Sequence, residues 1–171
     1  MRTSELCEYG IPQEAVALLE EEGIVELYPP QEEAVRKGIL ALERSFLVSV
    51  PTASGKTLIA ELLMLRSLLE RGGKCLYIVP LRALASEKAE EFKRYERLGI
   101  RCAISTGDYD TTDSWLAEYQ IVVTTSEKAD SLLRHNAPWL RDVKVLVADE
   151  IHLIHDAGRG PTLEVTIARL R

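Results

Sequence analysis

Five short apolar runs alternate with longer stretches of helical periodicity: FLVSV at 46–50, CLYIV at 75–79, CAIS at 102–105, IVVTT at 121–125 and VKVLVA at 143–148. A strand with one wet face alternates apolar and polar residues, whereas these runs are almost continuously apolar, as strands covered on both faces are. The stretches at 56–71, 81–98 and 126–135 predict the covering helices. Such an alternation closes most economically as a parallel sheet with right-handed crossovers, so the expected class is α/β, a parallel sheet flanked by helices. Two helices should precede it. Pro12 opens the first, which carries Val16, Leu18 and Leu19 and is closed by Gly23. The second starts at Pro30 and runs through Ala34, Val35, Ile39 and Leu42, with LYPPQ as a rigid corner before it. No repeat or Pro/Gly/Ser-rich linker interrupts the 171 residues, so one domain is expected, with a helical lead-in at 1–44 and an α/β core at 45–171.

The net charge of −6 excludes a surface that is basic all over. Contact with nucleic acid would have to be local and made partly by backbone amides. Three cysteines, Cys7, Cys75 and Cys102, lie far apart, and two sit inside apolar runs, which suits buried thiols in a reducing compartment. The opening MRTSELCEYG has no apolar core of signal-peptide length, and no run approaches the roughly 18 residues that span a bilayer. A cytoplasmic location is the expectation.

The turn between the first run and the helix at 56–71 reads VPTASGKTL. A strand, a tight turn and Gly55-Lys56-Thr57 opening a helix is the arrangement that binds phosphate, because backbone N–H groups and the helix dipole face the anion. Lys56 would reach the β- and γ-phosphates and the Thr57 hydroxyl would ligate Mg²⁺. Thr52, Ala53, Ser54, Gly55 and Leu58 would complete the nucleotide contacts. The general pattern GxxxxGK[ST] asks for glycine at position 50, where this chain has Val50. The alternative is a helix start capped by Ser54, with an ordinary lysine in its first turn.

A phosphate loop needs an acid at the end of a neighbouring strand, and VLVADEIH supplies Asp149 and Glu150 where the last run stops. Asp149 would hold Mg²⁺ and Glu150 would orient and polarise the water that attacks the γ-phosphate. Carboxyl ends of parallel strands are also where open α/β sheets bind ligands. The same stretch admits a second reading, a zinc cluster of His152 and His155 with Asp149, Glu150 and Asp156, although helical zinc pairs place their histidines four apart rather than three.

With both halves in view, the chain resembles the amino-terminal RecA-like motor domain of superfamily 2 helicases, in the DExH form through DEIH. It is most similar to the archaeal Hjm-type DNA helicases, relatives of the helicase domain of polymerase theta. LYPPQ resembles the Q motif, which implies that Gln31 reads the adenine edge. PTASGKT resembles motif I, with Ala53 where many relatives have glycine. VPLRALASEK resembles motif Ia and implies that Arg82 touches a nucleic-acid phosphate. STGDYD implies backbone-phosphate contacts for Thr106 and Gly107, and TTSEKADSLLR implies them for Thr125, Ser126 and Lys128. His152 would couple the nucleotide site to the nucleic-acid side of the cleft. GRGPTLE, with Arg159, Gly160 and Glu164, is also similar to this branch, without an implied role, and His155 has no motif counterpart.

The resemblance implies an ATP- and Mg²⁺-dependent DNA helicase that acts in repair and moves on single-stranded or forked DNA, with no membrane partner. It also implies a second RecA-like domain and accessory domains of the same protein, absent from these residues. The strand of motif III would lie between the phosphate-loop strand and the strand ending in the acids. The sheet is therefore expected to have a gap there or to close in another order. Without the arginine finger of a second domain, worth about 10³ to 10⁵ in rate, the chain should bind nucleotide and hydrolyse it poorly. An ATP-dependent clamp that never hydrolyses and a P-loop phosphotransferase are the alternatives.

Overall fold

The structure is a computed structural model and describes every residue except Thr52, Ala53, 108–111, Ala157, Arg159 and Arg171. It falls into two compact units, Met1–Gly72 and Gly73–Arg171. Among the described residues no helix is long and apolar enough to cross a membrane.

The first unit is helical. A 3-10 helix over Thr3–Tyr9 leads to α1, Gln13–Glu21, whose buried face is Ala15, Val16, Leu18 and Leu19. Two prolines occupy the first positions of α2, Pro29–Arg36, where a missing N–H costs nothing, and the Tyr28 N–H donates to Gln31 Oε1 at 2.8 Å. A 3-10 turn at Ile39–Ala41 replaces the rest of the expected second helix. Helix α3, Lys56–Arg71, buries Leu58, Ile59, Leu62, Met64, Leu65 and Leu68, the spacing of one helical face.

The second unit is a four-stranded parallel sheet. Its strands are β1 Lys74–Val79, β2 Cys102–Ser105, β3 Ile121–Thr125 and β4 Val143–Ala148, in the order β2-β3-β1-β4. Leu76 and Ile78 of β1 and their neighbours Val122 and Ala103 point to one face. There they pack with Ala129 and Leu132 of α5 (Ser126–Arg134), Leu163 of α6 (Gly160–Leu170), Leu116 and Trp139. Tyr77 points to the other face, towards Phe92 of α4 (Arg82–Phe92), ring centroids 5.2 Å apart. This alternation is the period of two of an extended chain. Lys74 is buried at the start of β1, its ammonium donating to the carbonyls of Leu116 at 3.2 Å, Ala117 at 2.6 Å and Tyr119 at 2.5 Å. The 3-10 helix at Ser114–Glu118 is thereby closed at its carboxyl end.

One expected strand is absent. FLVSV at 46–50 joins no ladder, and Leu47 is 77% exposed. An apolar run becomes a strand only where a neighbour takes its N–H and C=O groups. The expected order placed a further strand between this run and the one ending in the acids. Direct pairing of the two would have overturned that order, and no such ladder exists among the described residues.

Candidate nucleotide and nucleic-acid site

In the first unit, Gly55 is the residue before α3 and takes φ +71°, a conformation open to glycine. The N-cap position is Gly55 rather than the Ser54 that the capped alternative names. Lys56 and Thr57 are half-buried in the first turn and Leu58 is buried behind them. Thr52 and Ala53 lie outside the described residues.

Gln31 is buried, and its Nε2 donates to the Gly55 carbonyl at 3.0 Å. A Cβ on Gly55 would come within 2.1 Å of that nitrogen. The residue expected to read adenine therefore holds the start of α2 against the phosphate turn, with its carboxamide oxygen taken by the Tyr28 N–H.

In the second unit, β4 hands directly to the acids. The Asp149 N–H donates to the Ile78 carbonyl at 2.9 Å, extending the ladder by one residue. Asp149 Oδ1 accepts the Glu150 N–H at 2.9 Å, and Oδ2 accepts the Tyr77 hydroxyl at 2.9 Å. Glu150 sits at φ +52°, a left-handed conformation that costs a non-glycine residue about 1–2 kcal/mol. Its carboxylate lies 3.1 Å from His152 Nδ1, both side chains reaching solvent. His155 is exposed at the end of the same 3-10 turn, Ile151–His155.

No three His, Cys, Asp or Glu side chains converge among the described residues, so the zinc reading lacks a ligand set. The acids present fit Mg²⁺ instead, an ion that takes one or two carboxylates and completes its octahedron with water and substrate phosphate.

The residues expected to touch nucleic acid follow the carboxyl ends of β1, β2 and β3. Arg82 is exposed at the start of α4, and its guanidinium comes within 3.9 Å of where a Cβ on Gly107 would be. Thr106 and Gly107, directly after β2, are half-buried. The Thr125 hydroxyl caps α5 by accepting the Lys128 N–H at 3.4 Å, and Ser126 is buried beside it. Ser126 lines a narrow cavity of about 10 Å³ with Asp149, Glu150, Pro80 and Leu153.

Lys128 departs from the expectation. Its side chain is 1% exposed and lies 3.1 Å from the Asp113 carboxylate, which also accepts the Ser105 hydroxyl at 2.5 Å. A lysine so placed neutralises a charge inside the chain rather than presenting one at the surface. Arg159 is outside the described residues. Gly160 acquires a physical role, since its Cβ position is 2.0 Å from the Ile154 carbonyl oxygen and only glycine admits that approach.

Sequence reasoning missed Tyr77. The only available signal was a phenol placed mid-strand in CLYIV, where an aliphatic residue would fill the core equally well.

The sequence profile of the DEAD/DEAH box helicases matches residues 28–171. The chain is 56% identical over 163 residues to an ATP-dependent DNA helicase Hel308 of Pyrococcus abyssi, covering 95% of this chain and 23% of that protein. It is 52% identical to the Hel308 of Methanocella arvoryzae, covering 97% of this chain and 23% of the relative. It thus spans about a quarter of the length of these relatives. Among solved structures it is similar to the DUF1998 helicase MrfA, with TM-score 0.77 and 30% identity over 94% of this chain and 26% of that one. MrfA bound to DNA and AMPPNP also matches, with TM-score 0.71 and 30% identity over 84% of this chain and 21% of that one. The chain belongs to the DEAD/DEAH box helicase family.

Proposed function

We propose that this chain is the ATP-binding half of the motor of an ATP-dependent DNA helicase, one that unwinds DNA by moving along a single strand. The observation that carries the reading is the shared carboxyl edge of the sheet. Each strand there hands over to an expected residue: β1 to Arg82, β2 to Thr106 and Gly107, β3 to Thr125 and Ser126, β4 to Asp149 and Glu150. Phosphate-track contacts and nucleotide-hydrolysing acids on one edge are what a motor requires and a simple phosphotransferase does not.

In this reading Gln31 exchanges its bond to the Gly55 carbonyl for the adenine edge, and Lys56 and the amides of the phosphate turn hold the β- and γ-phosphates. Thr57 and Asp149 hold Mg²⁺, which when bound neutralises charge building on the phosphoryl oxygens. Glu150 orients the attacking water, and His152, in reach of the Glu150 carboxylate, relays between the two sides. The helical residues 1–44 serve as lead-in to the core at 45–171. A second RecA-like domain closes over the nucleotide and supplies the arginines that raise the rate about 10³- to 10⁵-fold, so this chain alone binds nucleotide and turns it over slowly. Single-stranded or forked DNA is the partner, and the setting is cytoplasmic, on the nucleoid.

Calorimetric titration of Mg-ADP into the chain and into Lys56→Ala tests the reading. Micromolar binding that the substitution abolishes supports it, and no binding by the unsubstituted chain refutes it. Stimulation of ATP turnover by single-stranded DNA separates a motor from a non-hydrolysing clamp and from a phosphotransferase acting on a small substrate.

A further inference from the structure

A tyrosine buried in the middle of a parallel strand needs a reason for its hydroxyl. Tyr77 is 1% exposed, and a phenylalanine would present the same ring to Phe92. Its hydroxyl donates to Asp149 Oδ2 at 2.9 Å, on an acid the proposed mechanism uses. The register explains how. Tyr77 lies opposite Val147, and Asp149, two residues beyond Val147, projects to the same side of the sheet. The ring itself is fixed, edge-on to Phe92 at 5.2 Å, with Phe92 in turn stacked on Tyr95 at 6.4 Å. The other carboxylate oxygen accepts the Glu150 N–H at 2.9 Å, so both oxygens of Asp149 are held and the plane of the carboxylate is set. Each oxygen keeps acceptor capacity for water or a cation on its remaining side.

We infer that Tyr77 is a positioning residue, whose buried hydroxyl fixes the carboxylate of Asp149 in the orientation that receives the Mg²⁺ of a bound nucleotide. The inference rests on the proposed reading of Asp149 as a magnesium ligand. Outer partners of metal ligands change metal affinity about 10- to 100-fold when removed. Tyr77→Phe deletes one oxygen atom and leaves the ring packing in place.

The test titrates ADP calorimetrically into the chain at stepped free Mg²⁺, and again in EDTA. Tyr77→Phe is expected to raise the Mg²⁺ needed for half-maximal tight binding about tenfold, to leave ADP affinity in EDTA unchanged, and to add nothing in an Asp149→Asn background. Unchanged Mg²⁺ dependence, or equal losses with and without Mg²⁺, overturns the inference while leaving the nucleotide reading intact. Absence of Mg-ADP binding by the unsubstituted chain refutes that reading and this inference with it. Phe92→Leu supplies an independent arm should the phenylalanine variant fail to fold, since it loosens the ring and keeps the hydroxyl. A raised Mg²⁺ requirement is expected there, and an unchanged one overturns the proposal.

Discussion

Lys128 offers a decisive choice between a phosphate contact and an internal strut. Its ammonium, 1% exposed, lies 3.1 Å from a carboxylate that is 15% exposed, and Lys128→Met removes this ion pair from Asp113. Breaking one side of a buried ion pair costs about 3–5 kcal/mol. Because Asp113 retains some solvent and the Ser105 hydroxyl still donates to it, the lower end, about 3 kcal/mol, is the expectation. At about 2–4 °C per kcal/mol for a chain of this size, the melting midpoint should fall by roughly 6–12 °C. Differential scanning calorimetry measures it. Lys128→Met with Asp113→Asn should recover part of the loss, since no lone charge then remains. If Lys128 instead held a nucleic-acid phosphate, the midpoint would stay within a degree or two. The slope of log affinity against log salt for a single strand would then drop by about 0.7. That pair of results would refute the strut.

Gly55→Ala combines a left-handed φ of +71° with a Cβ 2.1 Å from Gln31 Nε2. A loss of about 2 kcal/mol is expected from strain and the broken Gln31 bond together, read as a lower urea midpoint and weaker Mg-ADP binding. Lys74→Met removes three donated hydrogen bonds, one to a buried carbonyl and two to part-buried ones, and should cost about 3 kcal/mol by urea denaturation. Burial holds the Lys74 ammonium below the usual lysine range, with nearby Asp142 opposing the shift. The unfolded chain therefore binds the extra proton between the two pKa values, so the stability of the unsubstituted chain relative to Lys74→Met should rise as pH climbs towards 10.5. Burial pushes the Cys102 thiol up to about 12 and the Cys75 thiol further still. Iodoacetamide at pH 8 should therefore label Cys7 alone in the native chain and all three free cysteines in urea, counted by intact mass. Native labelling of Cys75 would contradict the buried sheet.

Much of the α/β frame was legible because strands covered on both faces have no polar alternation to disguise them. The runs at 102–105, 121–125 and 143–148 form strands over those same residues, and α3 spans the expected 56–71. FLVSV at 46–50 shows the limit of that signal. Its composition satisfies a strand, but a strand is a relation between two segments, and composition carries one of them. Helix α6 was hidden for the opposite reason, because Val165, Thr166 and Ile167 favour extended backbone and only packing against α5 overrides them. At the candidate site, residue types and their strand-end positions were readable, while side-chain direction was not. A lysine letter looks the same whether it faces Asp113 or water, and nothing in CLYIV distinguishes a core tyrosine from one that reaches Asp149.

Gly160 has a mechanical consequence. Its α-carbon leaves no clearance above the Ile154 carbonyl, and its N–H is tied to the Asp156 carbonyl at 2.8 Å. The turn carrying His152 thus meets the first residue of α6 at two points, Ile154 and Asp156. In the proposed reading, a displacement of His152 on hydrolysis would reach the start of α6, and α6 lies against α5, the helix whose amino terminus holds Thr125 and Ser126. In that reading a single glycine joins two loops with separate chemistry.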